Sequence, residues 1–292
     1  LTTAEADTTP NSGQNEMTLF QTRISVTVEG PSRKDLILPY PSAPLATLNE
    51  DEQTLALLYR KAETYAIGHG CAANWVQSAS SSRATSVASD SFPTHEMPSI
   101  TPDLRREDGT ALQVPMGLLA GFVENEDGFD LLEEIIDRYE AWIAAREAEI
   151  ASLPPKHQPA ANRHLEDCTV AANRMRDGVA FLNEDPVAKK AFQLTNHAMA
   201  LQRFHSARSR RTAYFAKDEQ RFQFSPSLTS SVTDHKDLNG EWRAFQIAFL
   251  LMSVASAANG EHADRDLVDL IWFPTGGGKT EAYLGLAAFG IL

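Results

Sequence analysis

One stretch limits this chain more than any other. Leu267-Val268-Asp269-Leu270-Ile271-Trp272-Phe273 runs straight into Pro274-Thr275-Gly276-Gly277-Gly278-Lys279-Thr280, and a helix-compatible segment from Glu281 to Leu292 follows. A mostly apolar run of strand length, a glycine loop, Lys-Thr and a helix come in the order of a phosphate-binding loop. Each residue type has a reason to be there. The glycines let backbone N–H groups close around phosphates, and the helix N-terminus adds a favourable dipole. Lys279 has the length and charge to reach the β- and γ-phosphates, and the Thr280 hydroxyl suits a Mg²⁺ ligand. The general pattern has glycine at its first position, where this chain has Phe273. The competing reading is a glycine-rich turn that merely precedes a helix.

Residues 274 to 280 resemble the motif Pro-Thr-Gly-x-Gly-Lys-Thr of superfamily 2 motors in full. Upstream, Glu241-Trp242-Arg243-Ala244-Phe245-Gln246 is expected to open a helix with Trp242, Phe245, Phe249 and Met252 on one face. Its Arg-x-x-Gln is similar to the Q-motif of the same motors. There a glutamine amide, with one donor and one acceptor side, reads the adenine edge. Gln246 would be that reader, with Arg243 beside it. The alternative is a solvated helix face. The ATP and Mg²⁺ site is therefore expected at Arg243, Gln246, Thr275, Gly276, Gly277, Gly278, Lys279 and Thr280. Lys279 and Thr280 carry the chemistry, and Thr280 is the metal ligand.

Ahead of these motifs the chain changes character twice. Alternation at Ile24, Val26 and Val28 predicts a half-buried strand within Thr18 to Gly30. Asn49 with Glu52 three residues later is a capping box before Leu55, Leu58, Ala62 and Tyr65, so an amphipathic helix is expected there, ended by Gly68 and Gly70. The Ser-, Ala- and Thr-rich run from Ser78 to Ser91 offers little to bury, and we expect a loop or edge strand.

A solvent-facing helix is expected over Phe129 to Ser152. Pro154-Pro155 breaks it, and Leu165, Cys168, Ala172, Met175, Val179 and Leu182 then recur at the spacing of a helical seam. The two helices should form an antiparallel hairpin. Asp185-Pro186 starts a third helix, reaching about Ala207. The fold class is thus α+β. Residues 1–105 form a β-containing region with one helix, 106–128 a linker and 129–235 a helical domain. Residues 236–292 are the first strand, loop and helix of a RecA-like α/β motor domain.

Charge and cysteine content narrow the function. The net charge of −13 argues against bulk attraction to nucleic acid, so any such contact must be local. The best local candidate lies between Arg203 and Arg221. There Arg203, Arg208, Arg210, Arg211, Lys217 and Arg221 outweigh Asp218 and Glu219 by +4. Arg208, Arg210 and Arg211 are the residues chosen for DNA. Phe204, Tyr214 and Phe215 stand among them and could stack on bases or sit in the core. Pairing of the arginines with the acidic helix Phe129 to Ser152 satisfies the same charges.

Two cysteines, Cys71 and Cys168, make neither a cysteine zinc site nor a disulfide framework, and a reducing, cytoplasmic setting is expected. His69 with Cys71 lacks further ligands at metal spacing, and His95-Glu96 lacks the second histidine of a zincin. The longest apolar run near the end, Leu284 to Leu292, is nine residues, against roughly 20 needed to cross a bilayer. No membrane partner is expected. Leu1 opens a polar stretch with no signal peptide, and we expect the natural N-terminus to lie before it.

A narrower likeness joins these parts. Trp242 through Phe249, Val268 through Gly285, Leu57 through Arg60, Tyr65 through Trp75 and Ala191 through Gln202 together resemble the helicase subunit of DISARM anti-phage defence systems. The resemblance spans roughly a quarter to a third of the chain. It implies a DNA-handling superfamily 2 motor working with a partner subunit and with a DNA methyltransferase of the same system. Such a motor also needs a second acidic motif and an arginine finger. Only 12 residues follow Thr280, so these are expected outside the chain. The alternative function is a nucleotide-gated DNA-binding or interaction subunit without productive turnover.

Overall fold

The computed structural model describes residues 22–28, 37–41, 44, 47–77, 82–94, 103–106, 108–123, 128–207, 211–225, 238, 240–272 and 276–292. Two compact units emerge, Leu1–Pro98 with Pro154–Ala161, and Ser99–Leu153 with Asn162–Leu292.

In the first unit, β1 (Ser25–Thr27), β2 (Ala72–Gln77) and β3 (Ala84–Asp90) form an antiparallel sheet in the order β1-β3-β2. The Ser/Ala/Thr-rich run expected to be a loop or edge strand therefore supplies the central strand. Ser25 pairs with Ala88 on one side and Ala72 with Asp90 on the other. Small side chains fit between two neighbours, and partners distant in sequence supply the stability that local composition does not.

Helix α1 (Glu50–Leu58) has the expected capping box. The Glu52 N–H donates to Asn49 Oδ1, and the Asn49 N–H to Glu52 Oε2, both at 2.9 Å. The helix stops well before Gly68, because Arg60 Nη1 reaches back to the Leu57 carbonyl and satisfies its open end. Tyr65, beyond the helix, is buried edge-on against Trp75.

The second unit is mostly helical. A short hairpin, β4 (Leu104–Arg105) and β5 (Ala111–Leu112), leads to β6 (Val114–Pro115) and the single turn α2 (Met116–Leu119). Helices α3 (Gly128–Ile150) and α4 (Gln158–Glu184) run antiparallel. Ile143 packs with Leu165 and Ala172, while Arg176 near the other end binds Glu133, Asp137 and Glu140. Along the seam Leu165, Ala172, Met175, Val179 and Leu182 are buried and Cys168 is partly buried. Asp185 caps α5 (Pro186–Ser206), accepting from the N–H groups of Val187 and Ala188.

After the hairpin β7 (Thr212–Ala216) and β8 (Arg221–Ser225), strand β9 (Glu241–Trp242) pairs with β6. Trp242 thus precedes the expected helix rather than lying on it. Then come α6 (Ala244–Ala258) and α7 (Lys279–Ile291), which pack on each other, with α7 also on α5. One core built from these elements includes Phe192, Ile247, Leu250, Leu251 and Val254, all buried.

Every described strand pairing is antiparallel. Residues 267–272 adopt no strand, and Val268, Leu270 and Trp272 are exposed. A strand exists only through its ladder partners, and among the described residues this apolar segment has none.

Candidate functional site

The loop and the upstream helix meet. Arg243 is the N-cap of α6, and its backbone N–H donates to Gln246 Oε1 at 2.8 Å. The other end of the same amide, Gln246 Nε2, donates to the Gly278 carbonyl at 2.6 Å. Arg243 Nη1 donates to the neighbouring Gly277 carbonyl at 2.7 Å. Two consecutive loop carbonyls are therefore tied to the start of α6.

Gly278 is the N-cap of α7 and sits at φ +87°, a left-handed conformation that glycine adopts without strain. A Cβ there would lie 2.6 Å from Gln246 Nε2. The loop and the glutamine are built for each other's shape. Lys279 and Thr280 form the first turn of α7, where the helix leaves N–H groups without intrahelical acceptors. Thr280 is exposed and Lys279 half-buried.

These parts open on a cleft of about 810 Å³ lined by Arg243, Gln246, Gly276 and Gly278, together with Met199, Gln202 and Arg203 of α5. That size falls within the roughly 300–1,000 Å³ of small-molecule sites. The lining combines the Arg203 and Arg243 guanidiniums and glycine backbone with the carboxylates of Asp103, Glu241 and Glu281.

Further support comes from behind. Trp242 Nε1 donates to Asn196 Oδ1 at 2.7 Å, and Asn196 Nδ2 donates to the Phe192 carbonyl at 2.8 Å, all in buried positions. This chain of bonds fixes β9, and hence the start of α6, to α5. A Cβ on Gly285 would lie 2.8 Å from Trp242 Cη2, so glycine lets α7 close onto the indole. Phe249 meets Tyr283 edge-on at 5.8 Å between the same two helices.

The structure thus brings Arg243, Gln246, Gly276, Gly277, Gly278, Lys279 and Thr280 together. Thr275, Arg208 and Arg210 lie outside the described residues. Arg211 is exposed, with its guanidinium 5.6 Å from the centre of the Phe224 ring, remote in role from the loop. Four acids of α3 are met by other arginines, Arg176 at Glu133, Asp137 and Glu140, and Arg106 and Arg138 at Glu134.

Two residues near the site were not assigned to it by the sequence. Arg203, grouped by charge with the DNA cluster, lines the cleft. Arg174 of α4 is largely buried and binds Asp269 at 2.7 Å, Asp264 at 3.1 Å and the Met252 carbonyl at 3.2 Å. It anchors the segment that leads into the loop. Its hydrogen bond to Asp269, followed by the pull of both carboxylates against partial burial, raises its pKa further and keeps it charged.

The arrangement is a glycine-rich turn at a helix N-terminus, backed by a glutamine–arginine clamp and open to a cleft. No family model matches the chain. Over 239 residues it is 34% identical to the DISARM protein DrmA of Bacillus paralicheniformis, a match covering 80% of this chain and 20% of that protein. The chain spans about a fifth of the length of the curated relative it matches. No helix among the described residues is long and apolar enough to cross a membrane.

Proposed function

We propose that this chain is the nucleotide-binding part of a DISARM-type anti-phage defence protein, a superfamily 2 motor that binds ATP with Mg²⁺ at Gly276–Thr280. In the whole protein, hydrolysis would drive movement on DNA, alongside a partner subunit of the same system. The likeness to DrmA over four-fifths of the chain supports the role in defence.

One observation carries the nucleotide reading, the tie of the Gly277 and Gly278 carbonyls to Arg243 and Gln246. With carbonyls held on one side of a loop, its N–H groups are left to face the other, which is what a phosphate requires. Bound Mg²⁺–ATP supplies the transferable phosphoryl group and the metal charge. The chain's part is to hold it. Lys279 offsets phosphate charge, the Thr280 hydroxyl offers a ligand oxygen, and the α7 N-terminus adds its dipole. Arg203 and Arg243 add positive charge at a cleft wall that also carries Asp103, Glu241 and Glu281.

Lys279→Ala in the full-length protein tests this. ATP hydrolysis should fall to background and phage protection should be lost, with the fold unchanged by circular dichroism. Turnover retained by that variant would remove the loop assignment. ATP binding without turnover by the full-length wild type would favour the nucleotide-gated alternative.

A further inference from the structure

The hairpin β7–β8 stands apart from the core chemistry. Among the described residues its strands pair only with each other. Ala213 faces Phe224 and Phe215 faces Phe222 across the ladder, so these four side chains share one face, with Arg211 two residues before Ala213 on the same side. Phe215, Phe222 and Phe224 are 46%, 67% and 51% exposed. Phe215 and Phe222 meet edge-to-face at 5.4 Å between ring centres, and Arg211 lies over Phe224.

The opposite face is polar, and Tyr214 there donates to Gln223 at 2.6 Å. The turn acid Glu219 is engaged by Arg221 and Gln223. It therefore adds little negative charge to the phenylalanine face.

The exposed face is made of three phenylalanines, an alanine and an arginine, with no aliphatic side chain larger than a methyl group. Flat π-faces beside the Arg211 guanidinium match a ligand that alternates rings with anions.

We infer that this face binds single-stranded nucleic acid, with bases stacking on Phe215, Phe222 and Phe224 and a phosphate held by Arg211. The inference rests on the DNA part of the function proposed above and goes further, assigning the strand state, the residues and the mode of contact. Stacking accepts any base, so binding should be nearly indifferent to sequence.

The test is fluorescence anisotropy of the full-length protein with labelled oligo(dT), an abasic strand of equal length and a duplex. The variants are Phe215→Leu/Phe222→Leu/Phe224→Leu, which keeps an apolar face but removes the rings, and Arg211→Gln. The leucine variant should bind oligo(dT) at least roughly tenfold more weakly, as loss of base–aromatic stacking implies. Its binding to the abasic strand should be unchanged. Arg211→Gln should weaken both strands and lower the slope of log affinity against log salt by about 0.7.

If the leucine variant lowers the melting temperature, Phe222→Leu alone carries the test, because Phe222 is the most exposed of the three. Wild-type affinity of the leucine variant for oligo(dT) overturns the inference and leaves the DNA reading intact. The same holds if the variant instead loses association with a protein partner. A wild-type protein that binds none of the three probes overturns both together.

Discussion

Gln246 and Gly278 are joined by a 2.6 Å hydrogen bond, from the glutamine amide to the glycine carbonyl, and the same amide accepts the Arg243 N–H. One buried side chain therefore links the N-cap of α6 to the N-cap of α7. Each side of the amide expected to meet adenine is already engaged once within the protein.

Gln246→Ala should therefore loosen the loop rather than change its preference among bases. It leaves a backbone donor and an acceptor without partners, at a cost of about 1–3 kcal/mol for each group that stays buried. ATP and GTP affinities should fall together in a competition titration. A fall confined to ATP would return Gln246 to the role of adenine reader.

Gly278→Ala and Gly276→Ala separate strain from contact. Both glycines have positive φ, +87° and +82°. A Cβ at Gly278 would strike Gln246, whereas at Gly276 nothing lies within 4 Å. Each substitution should cost about 1–2 kcal/mol for the left-handed backbone, and Gly278→Ala should lose more in both melting temperature and nucleotide affinity. Adding Gln246→Ala should recover part of the excess at position 278 and none at 276. Equal losses at the two glycines would show that the loop does not close on Gln246.

Trp242→Phe removes the donor to Asn196 Oδ1 together with the indole atoms Cη2 and Cζ2 that face Gly285. The carbonyl of a fully buried asparagine is then left unpaired, which costs about 1–3 kcal/mol. For a unit of this size the melting temperature should fall by roughly 2–4 °C per kcal/mol. Thermal unfolding that matches wild type would mean the bond does not hold β9 to α5.

The acid limb of stability should depend on the α3 carboxylates. Arg106 hydrogen bonds hold the Glu134 carboxyl below its usual range, with help from Arg138, and Arg176 does the same for Glu140. A folded pKa below the unfolded one gives stability that is present above the unfolded value, about 4.3 for glutamate, and is lost as pH falls through the folded value. The melting temperature should thus drop as pH is lowered from about 4.3. Glu134→Gln/Glu140→Gln should flatten that limb, and high salt should weaken the difference, since these pairs lie near the surface. Parallel curves for wild type and variant would show that the pairs do not drive the acid response.

Much of the helical part was legible because its signals are local. Asn49 with Glu52, Asp185 with Pro186, and the seam from Leu165 to Leu182 each act over a few residues and needed no distant partner. The sheet was not. The strand Ala84–Asp90 lies at the centre because of Ser25–Thr27 and Ala72–Gln77, and nothing in its Ser/Ala/Thr composition says so. The apolar run Leu267–Trp272 shows the converse, strand composition without strand partners. At the site, motif spacing identified Gln246 and the glycines, but not that they would touch. That contact depends on Trp242, Asn196 and Gly285 holding α6 and α7 in register. Arg174, paired with Asp269 across 95 positions of sequence, was beyond any local pattern.

Mg²⁺–ATP titrated into the purified 292-residue chain, followed by calorimetry, asks most directly whether the clamped glycine loop is a nucleotide site. The account expects saturable one-to-one binding, abolished in Lys279→Ala and weakened in Gln246→Ala, with both variants folded. Absence of binding by the folded wild-type chain, or undiminished binding by Lys279→Ala, would contradict it.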